Sequence, residues 1–188
     1  MAPVEIQESV DGIVESEREW LYEHAADGSA RFVLGEAGQN PLVCVGINPS
    51  TAVPNAPDPT IKRVRRFAAD NGYDGWTMLN VYPQIATDPK DIDREHRAHL
   101  KAENEQHITR LVSDRPVTLL AAWGGLVTSR PYLPALLRDI LEITTAAGCD
   151  WVSLGAPTKY GHPRHPLYVR GDTLLQSFDT GEYLRASF

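Results

Sequence analysis

Long apolar runs are missing from these 188 residues: no stretch reaches the ~18 uninterrupted apolar residues of a membrane-spanning helix. The amino terminus lacks the basic-then-apolar pattern of an export signal, so a cytoplasmic location with no membrane partner is the expectation. Cysteine is scarce as well. Cys44 sits in apolar company and Cys149 follows Gly148, and neither has a CxxC partner or a histidine at zinc spacing. That argues for free thiols and against structural zinc, and no metal or cofactor is expected. A basic domain is lacking too, since the formal net charge is −7. The acidity is local. Residues 1–30 hold eight acids and one base, Arg18, and the remainder carries as many bases as acids. We read residues 1–30 as an acidic amino-terminal segment with a solvated helix at 14–25 that places Trp20, Leu21 and His24 on one side. Residues 31–188 read as one domain.

What is present is alternation. Residues 31–34 (Arg-Phe-Val-Leu) form a short edge-strand candidate, closed by turn residues from Gly35 to Pro41. The run Leu42-Val43-Cys44-Val45 reads as a buried strand. Asp58 is a plausible N-cap and Pro59 a first helical residue, for a helix reaching about Asn71-Gly72. A strand follows at 76–82, a long charged helix at 91–111, a strand at 117–122, a helix from Pro134 to near Gly148 and a strand at 151–154. His96, His99 and His107 fall on the charged helix and are expected to face solvent. Strands alternating with helices predict an α/β fold, a three-layer α/β/α sandwich around a central, mainly parallel four-stranded sheet.

Each of the four strands exits into chemically loaded residues. The first ends in Gly46-Ile47-Asn48-Pro49-Ser50, the second carries Asn80, the third runs into Trp123-Gly124, and the fourth leads to the loop of His162 and His165. In a parallel sheet these ends share one side, where α/β proteins bind ligands. A side-chain amide offers an acceptor and donors that suit a nucleobase edge, and a neutral histidine can donate to a developing oxyanion. Trp123 reads as core or pocket wall. Lys62, Arg63, Arg65 and Arg66 cluster on the helix after the first motif, which suits either phosphate contact or a solvated face.

The succession G-I-N-P-S, M-L-N, A-A-W-G-G and H-P-R-H-P-L resembles the uracil-DNA glycosylase superfamily, and Gly46 to Ser50 is closest to its GINPG form. Along roughly residues 31–170 the chain also resembles a bacterial and phage family known only as a domain of unknown function, with NPS…DPT…WG…HPLY motifs. The glycosylase resemblance implies that Asn48 positions the attacking water, within a base pocket formed by Gly46, Ile47, Pro49, Ser50, Asn80 and Trp123. It implies that Asn80 reads an extruded base and that His165 or His162 stabilises the departing base, with His165 favoured. Leu167 falls where the closing loop wedges into the duplex, and Arg164, Tyr168 and Arg170, with Arg63 and Arg66, would contact nucleic acid. The pattern departs at one point. The strongest uracil glycosylases carry an Asp in the first motif, whose charge helps a cationic sugar form, and Asn48 cannot supply it. Asp58 is the candidate replacement if its loop folds back over the site.

The function expected is therefore an N-glycosidic bond hydrolase of DNA glycosylase type, acting on a base in DNA. Two alternatives stand beside it: a catalytically silent module binding a nucleobase, nucleotide or nucleic acid, and a hydrolase of free nucleosides or nucleotides.

Overall fold

The computed structural model describes residues 19–188. They build a seven-stranded mixed sheet from β1 (Trp20–His24), β2 (Arg31–Glu36), β3 (Pro41–Gly46), β4 (Gly75–Asn80), β5 (Thr118–Ala121), β6 (Asp150–Leu154) and β7 (Leu175–Ser177). The spatial order is β1-β2-β4-β3-β5-β6-β7. The inner strands β4, β3, β5 and β6 are parallel; β2 and β7 run antiparallel to them at either side, and β1 pairs antiparallel with β2. Four helices accompany the sheet: α1 (Pro59–Asp70), α2 (Ala98–Ser113), α3 (Leu133–Ala146) and α4 (Thr180–Ser187).

β3 is apolar throughout because both of its faces are covered, as in buried parallel sheets. Leu42 and Cys44 point into a cluster with Ile61, Val64 and Phe67 of α1. Val43 and Val45 point the other way, into a cluster with Leu100, Ile108 and Val112 of α2 and Leu136, Leu137 and Ile140 of α3. Each large apolar side chain buried in this way contributes about 1.5–3 kcal/mol. The chain passes from β3 through α1 to β4, then crosses back over β3 through α2 to reach β5. The direction of strand addition thus reverses between β3 and β5. Their outgoing loops diverge, and the crevice between them is where open α/β sheets hold ligands.

Several expectations need correction. The helix at 14–25 is a strand where it is described: Trp20 and Tyr22 pack on one face and Leu21 on the other, the two-residue period of β structure. Its residues 14–18, and most of the acidic segment, lie outside the described residues. Trp20 meets Trp76 edge-on at 6.0 Å, so the sheet reaches back past residue 31. Residues 31–34 are not an edge, because β2 is paired on both sides. The sheet has seven strands and not four; the four expected strands are its parallel core. The charged helix starts at Ala98 and not at 91, since residues 92–97 instead form a loop held by Asp93 N to Gln84 Oε1 (2.8 Å) and Arg97 Nε to Asp93 (2.7 Å). His107 on α2 is half-buried and stacks on Phe32 at 4.8 Å. β7 and α4 had no sequence signal strong enough to be read.

Close strand approach leaves no room for a side chain at Gly35. A Cβ at Gly35 of β2 would lie 2.4 Å from Trp76 O and 2.9 Å from Thr77 Cα. Neither atom can yield without parting the β2–β4 ladder. Gly35→Ala is expected to destabilise the protein by on the order of 3 kcal/mol, read as a lowered midpoint in urea unfolding.

Candidate functional site

The first motif is tied to the segment that leaves β4. Val81 N donates to Gly46 O and Tyr82 N to Ile47 O, both 2.9 Å, and Ala86 N donates to Pro49 O at 2.9 Å. Gly46 is closely covered, since a Cβ there would meet Met78 Cε at 2.7 Å and the Asn80 side-chain amide at 3.0 Å. Asn48 is held from its nitrogen end: Nδ2 donates to Ala86 O at 2.8 Å and to Pro49 O at 3.1 Å. Both amide protons are engaged, which leaves Oδ1 as an acceptor fixed in orientation.

A cavity of about 400 Å³ opens in the crevice, within the usual range for small-molecule sites. Gly46, Ile47, Asn48 and Ser50 line it from β3, and Trp123, Gly124 and Leu126 from β5. Asp58, Thr60 and Ile61 line it from the start of α1, and Arg164, His165, Leu167 and Tyr168 from the loop after β6. The loop at 51–57 does bring Asp58 over the site. Asp58 has two engagements: Oδ1 accepts from Ile61 N at 2.8 Å, capping α1, and Oδ2 accepts from Ser50 Oγ. It caps the helix and lines the cavity at once.

His165 sits between Arg164 and a buried Pro166, and its own side chain caps the single turn of 3-10 helix that follows. Leu167 N donates to its Nδ1 at 3.3 Å, so the proton of the neutral ring belongs on Nε2. Burial holds its pKa below the ordinary value, with the Asp58 charge pulling the other way. His162 is placed differently. Its Nδ1 lies 3.0 Å from the Tyr183 hydroxyl of α4, which in turn accepts from Trp123 Nε1 at 3.0 Å. Trp123, Tyr183 and His162 thus form a chain that packs the closing loop against the carboxyl-terminal helix. His162 does not line the cavity.

Other expected residues are also placed away from the pocket or engaged within the protein. Asn80 is 1% exposed and off the cavity wall; with its nitrogen turned toward them it donates to the Leu79 and Asn48 carbonyls at 3.3 Å. It braces the first motif from beneath. Pro49 is buried and off the wall as well. Arg63 donates to the Pro166 and Val169 carbonyls, tying α1 to the closing loop and thereby Asp58 to His165. Arg66 pairs with Asp70 at 3.3 Å, Arg170 grips Asp172 at 2.9 and 3.0 Å, and Arg164 Nε donates to Ala156 O at 2.9 Å. Leu167 and Tyr168 stand out from the rim, 40% and 80% exposed.

One site residue went unread. Arg31 opens β2, is 2% exposed, and lines the cavity. β2 runs against β4, so it begins at the edge where the parallel strands end, and Arg31 N accordingly donates to Pro83 O at 2.9 Å. A search of strand exits alone passes over an antiparallel neighbour's entrance. The available signal was an arginine opening an otherwise apolar strand.

Among the described residues no cluster of three or more His, Cys, Asp or Glu is placed to hold a metal, and no helix is long and apolar enough to cross a membrane. A family model described as a protein of unknown function (DUF1643) matches residues 31–167. No curated protein matches the chain, and no solved structure does.

Burial lowers the pKa of His107, His162 and His165 alike. The unfolded chain then binds more protons than the folded one as pH falls below ~6.5, so stability is whole above that value and is lost on acidification through the lowered folded pKa values. Thermal melts at pH 7.5 and pH 5 should show this loss, and His165→Gln should make it smaller.

Proposed function

The chain belongs to the DUF1643 family, whose function is unknown, and we propose that it is an N-glycosidic bond hydrolase of DNA glycosylase type that excises a base, modified or not, from DNA. The observation that carries the reading is the meeting of Asn48, Asp58 and His165, from three separate segments, on the wall of one cavity. A uracil-DNA glycosylase-like three-layer fold belongs to the same proposal, supported by the parallel core with helix-bearing clusters on both faces.

The chemistry follows from what each group can do. The sugar–base bond stretches first, leaving positive charge on the sugar and negative charge on the base. Asp58 supplies the carboxylate that stabilises the cationic sugar, the charge that the first motif lacks. Asn48 Oδ1 accepts a hydrogen bond from water and aims it at the anomeric carbon. Water forms the new carbon–oxygen bond, its proton passing to Asp58, while the base departs with the bonding electron pair. His165 donates from Nε2 to the base as its charge grows, and a neutral ring is the form that burial favours. Asn80, braced against backbone, is left out of base reading, so the base edge would be met by Ser50, Thr60 and main-chain groups. The exposed Leu167 and Tyr168 suit contact with a strand from which a base has been turned out.

One observation favours a second reading, a hydrolase of free nucleosides or nucleotides. Arg63, Arg66 and Arg170 all have intramolecular partners, which reduces the cationic surface offered to a phosphate backbone. Salt separates the two: oligonucleotide binding that weakens steeply with salt marks a polymer substrate.

Incubation of the protein with genomic and modified DNAs, followed by mass spectrometry of released small molecules, tests the proposal without prior choice of base. A free base with matching abasic sites is expected. Asp58→Asn keeps a side chain that caps helices as well as Asp, so the fold should persist at the assay temperature, with the melting temperature lowered by loss of the charge near the buried Arg31. The substitution should nonetheless lower base release by about 10²-fold or more through loss of charge. Release unaffected by Asp58→Asn and by Asn48→Ala would overturn the assignment.

A further inference from the structure

We propose that Arg31 makes the cavity a reader of anions: its ligand presents a negatively charged oxyanion, a carboxylate or a phosphate, to the buried guanidinium. The proposal rests on the reading of the cavity as a nucleotide or base site, and it does not depend on hydrolysis. It begins with the number of donors left over. A guanidinium has five N–H donors and no acceptor, and it stays charged in proteins. Arg31 is 2% exposed, yet among the described residues its one side-chain hydrogen bond is Nη1 to Ala52 O at 2.6 Å. Its Nε is buried without a hydrogen-bond partner, and no ion pair includes it.

The nearby carboxylate does not resolve this. Asp58 lines the same cavity and its charge is felt at Arg31, but among the described residues no hydrogen bond or ion pair joins the two; its oxygens accept instead from Ile61 N and from Ser50 Oγ. Asp58 is also the one acid among the residues lining the cavity, facing Arg31 and Arg164. The wall therefore carries an excess of positive charge, to which the amino-terminal end of α1 adds at Thr60 and Ile61. An arginine retained there for structure alone would be outperformed by an apolar side chain of similar volume, because a desolvated and poorly paired charge opposes folding. A planar fork on a pocket wall is suited to pairing with two oxygens of one anionic group.

Such a group has two possible sources: an acidic substituent on the base, or the phosphate of a nucleotide. Calorimetric titration of the full chain with deoxyuridine, 5-carboxydeoxyuridine and deoxyuridine 5′-monophosphate separates them. At least one anionic probe is expected to bind about tenfold or more tightly than deoxyuridine, the factor a charge-assisted hydrogen bond commands. Preference for the carboxylated base places the anion on the base, and preference for the monophosphate places it on the sugar. Arg31→Met should abolish the preference without lowering the melting temperature, and Arg31→Lys should retain part of it. Equal binding of charged and neutral probes, no binding of any of them at millimolar concentration, or a preference that survives Arg31→Met would overturn the proposal. Should Arg31→Met fail to fold, the wild-type chain still decides. Inorganic phosphate should raise its melting temperature above that in chloride of equal ionic strength and compete with the anionic probe, and failure on either count would refute the proposal. Base release measured on the same preparations keeps the two readings apart. Anion preference without release leaves this inference standing and removes hydrolysis, whereas release without preference does the reverse.

Discussion

The Gly46–Pro49 backbone is clamped to the segment beside it, and the site depends on that clamp. Three main-chain hydrogen bonds, from Val81, Tyr82 and Ala86, join the two chain segments past the ends of β3 and β4. The Met78 and Asn80 side chains crowd the space at Gly46, at 2.7 and 3.0 Å from where a Cβ would lie. Asn48 inherits its orientation from this clamp through Ala86 O. A loop at a strand end is ordinarily mobile; this one is tied down by main-chain hydrogen bonds to the segment after β4, and its amide is fixed before any ligand arrives. Preorganisation of that kind is what electrostatic catalysis requires of its dipoles.

A second constraint joins the other wall. Arg63 reaches from α1 to carbonyls of the closing loop, joining the helix that begins at Asp58 to the turn that begins at His165. Asp58 and His165 each cap the element they begin, Asp58 at Ile61 N and His165 at Leu167 N. The same hydrogen bonds that end the helix and the turn therefore fix which atoms remain for chemistry. On His165 that atom is Nε2. On Asp58 it is the charge itself, shared between a cap, a serine hydroxyl and the cavity. Arg31 completes the electrostatics from a third element, β2, and the opposition of its charge to that of Asp58 across one small volume is the main polarity of the site.

The fold was legible where periodicity and local chemistry were unambiguous. The apolar run at 42–45, the Asp58-Pro59 helix start and the four parallel strands could be read directly, because burial on both faces and capping are local signals. β1 was misread because Trp20, Leu21 and His24 fit a helical stripe as well as Trp20 and Tyr22 fit a strand, and only pairing with β2 decides between them. The site was legible through strand exits, which located Asn48, Trp123 and His165 on one edge. It was not legible at Asn80, His162 and Arg63, whose residue types suit ligand contact but whose partners are main-chain carbonyls or Tyr183 from distant segments. Nor was it legible at Arg31, which arrives by an antiparallel strand that no exit rule covers.

The central claim is that the Asp58 carboxylate faces a sugar on which positive charge develops. Titration of the protein with an oligonucleotide bearing a cationic 1-azasugar, against the same oligonucleotide with a neutral abasic analogue, tests it without knowledge of the base. The account predicts tighter binding of the cationic sugar by wild-type protein, and loss of that advantage in Asp58→Asn with binding of the neutral analogue preserved. Equal binding of the two by the wild type, or an advantage untouched by Asp58→Asn, would contradict it.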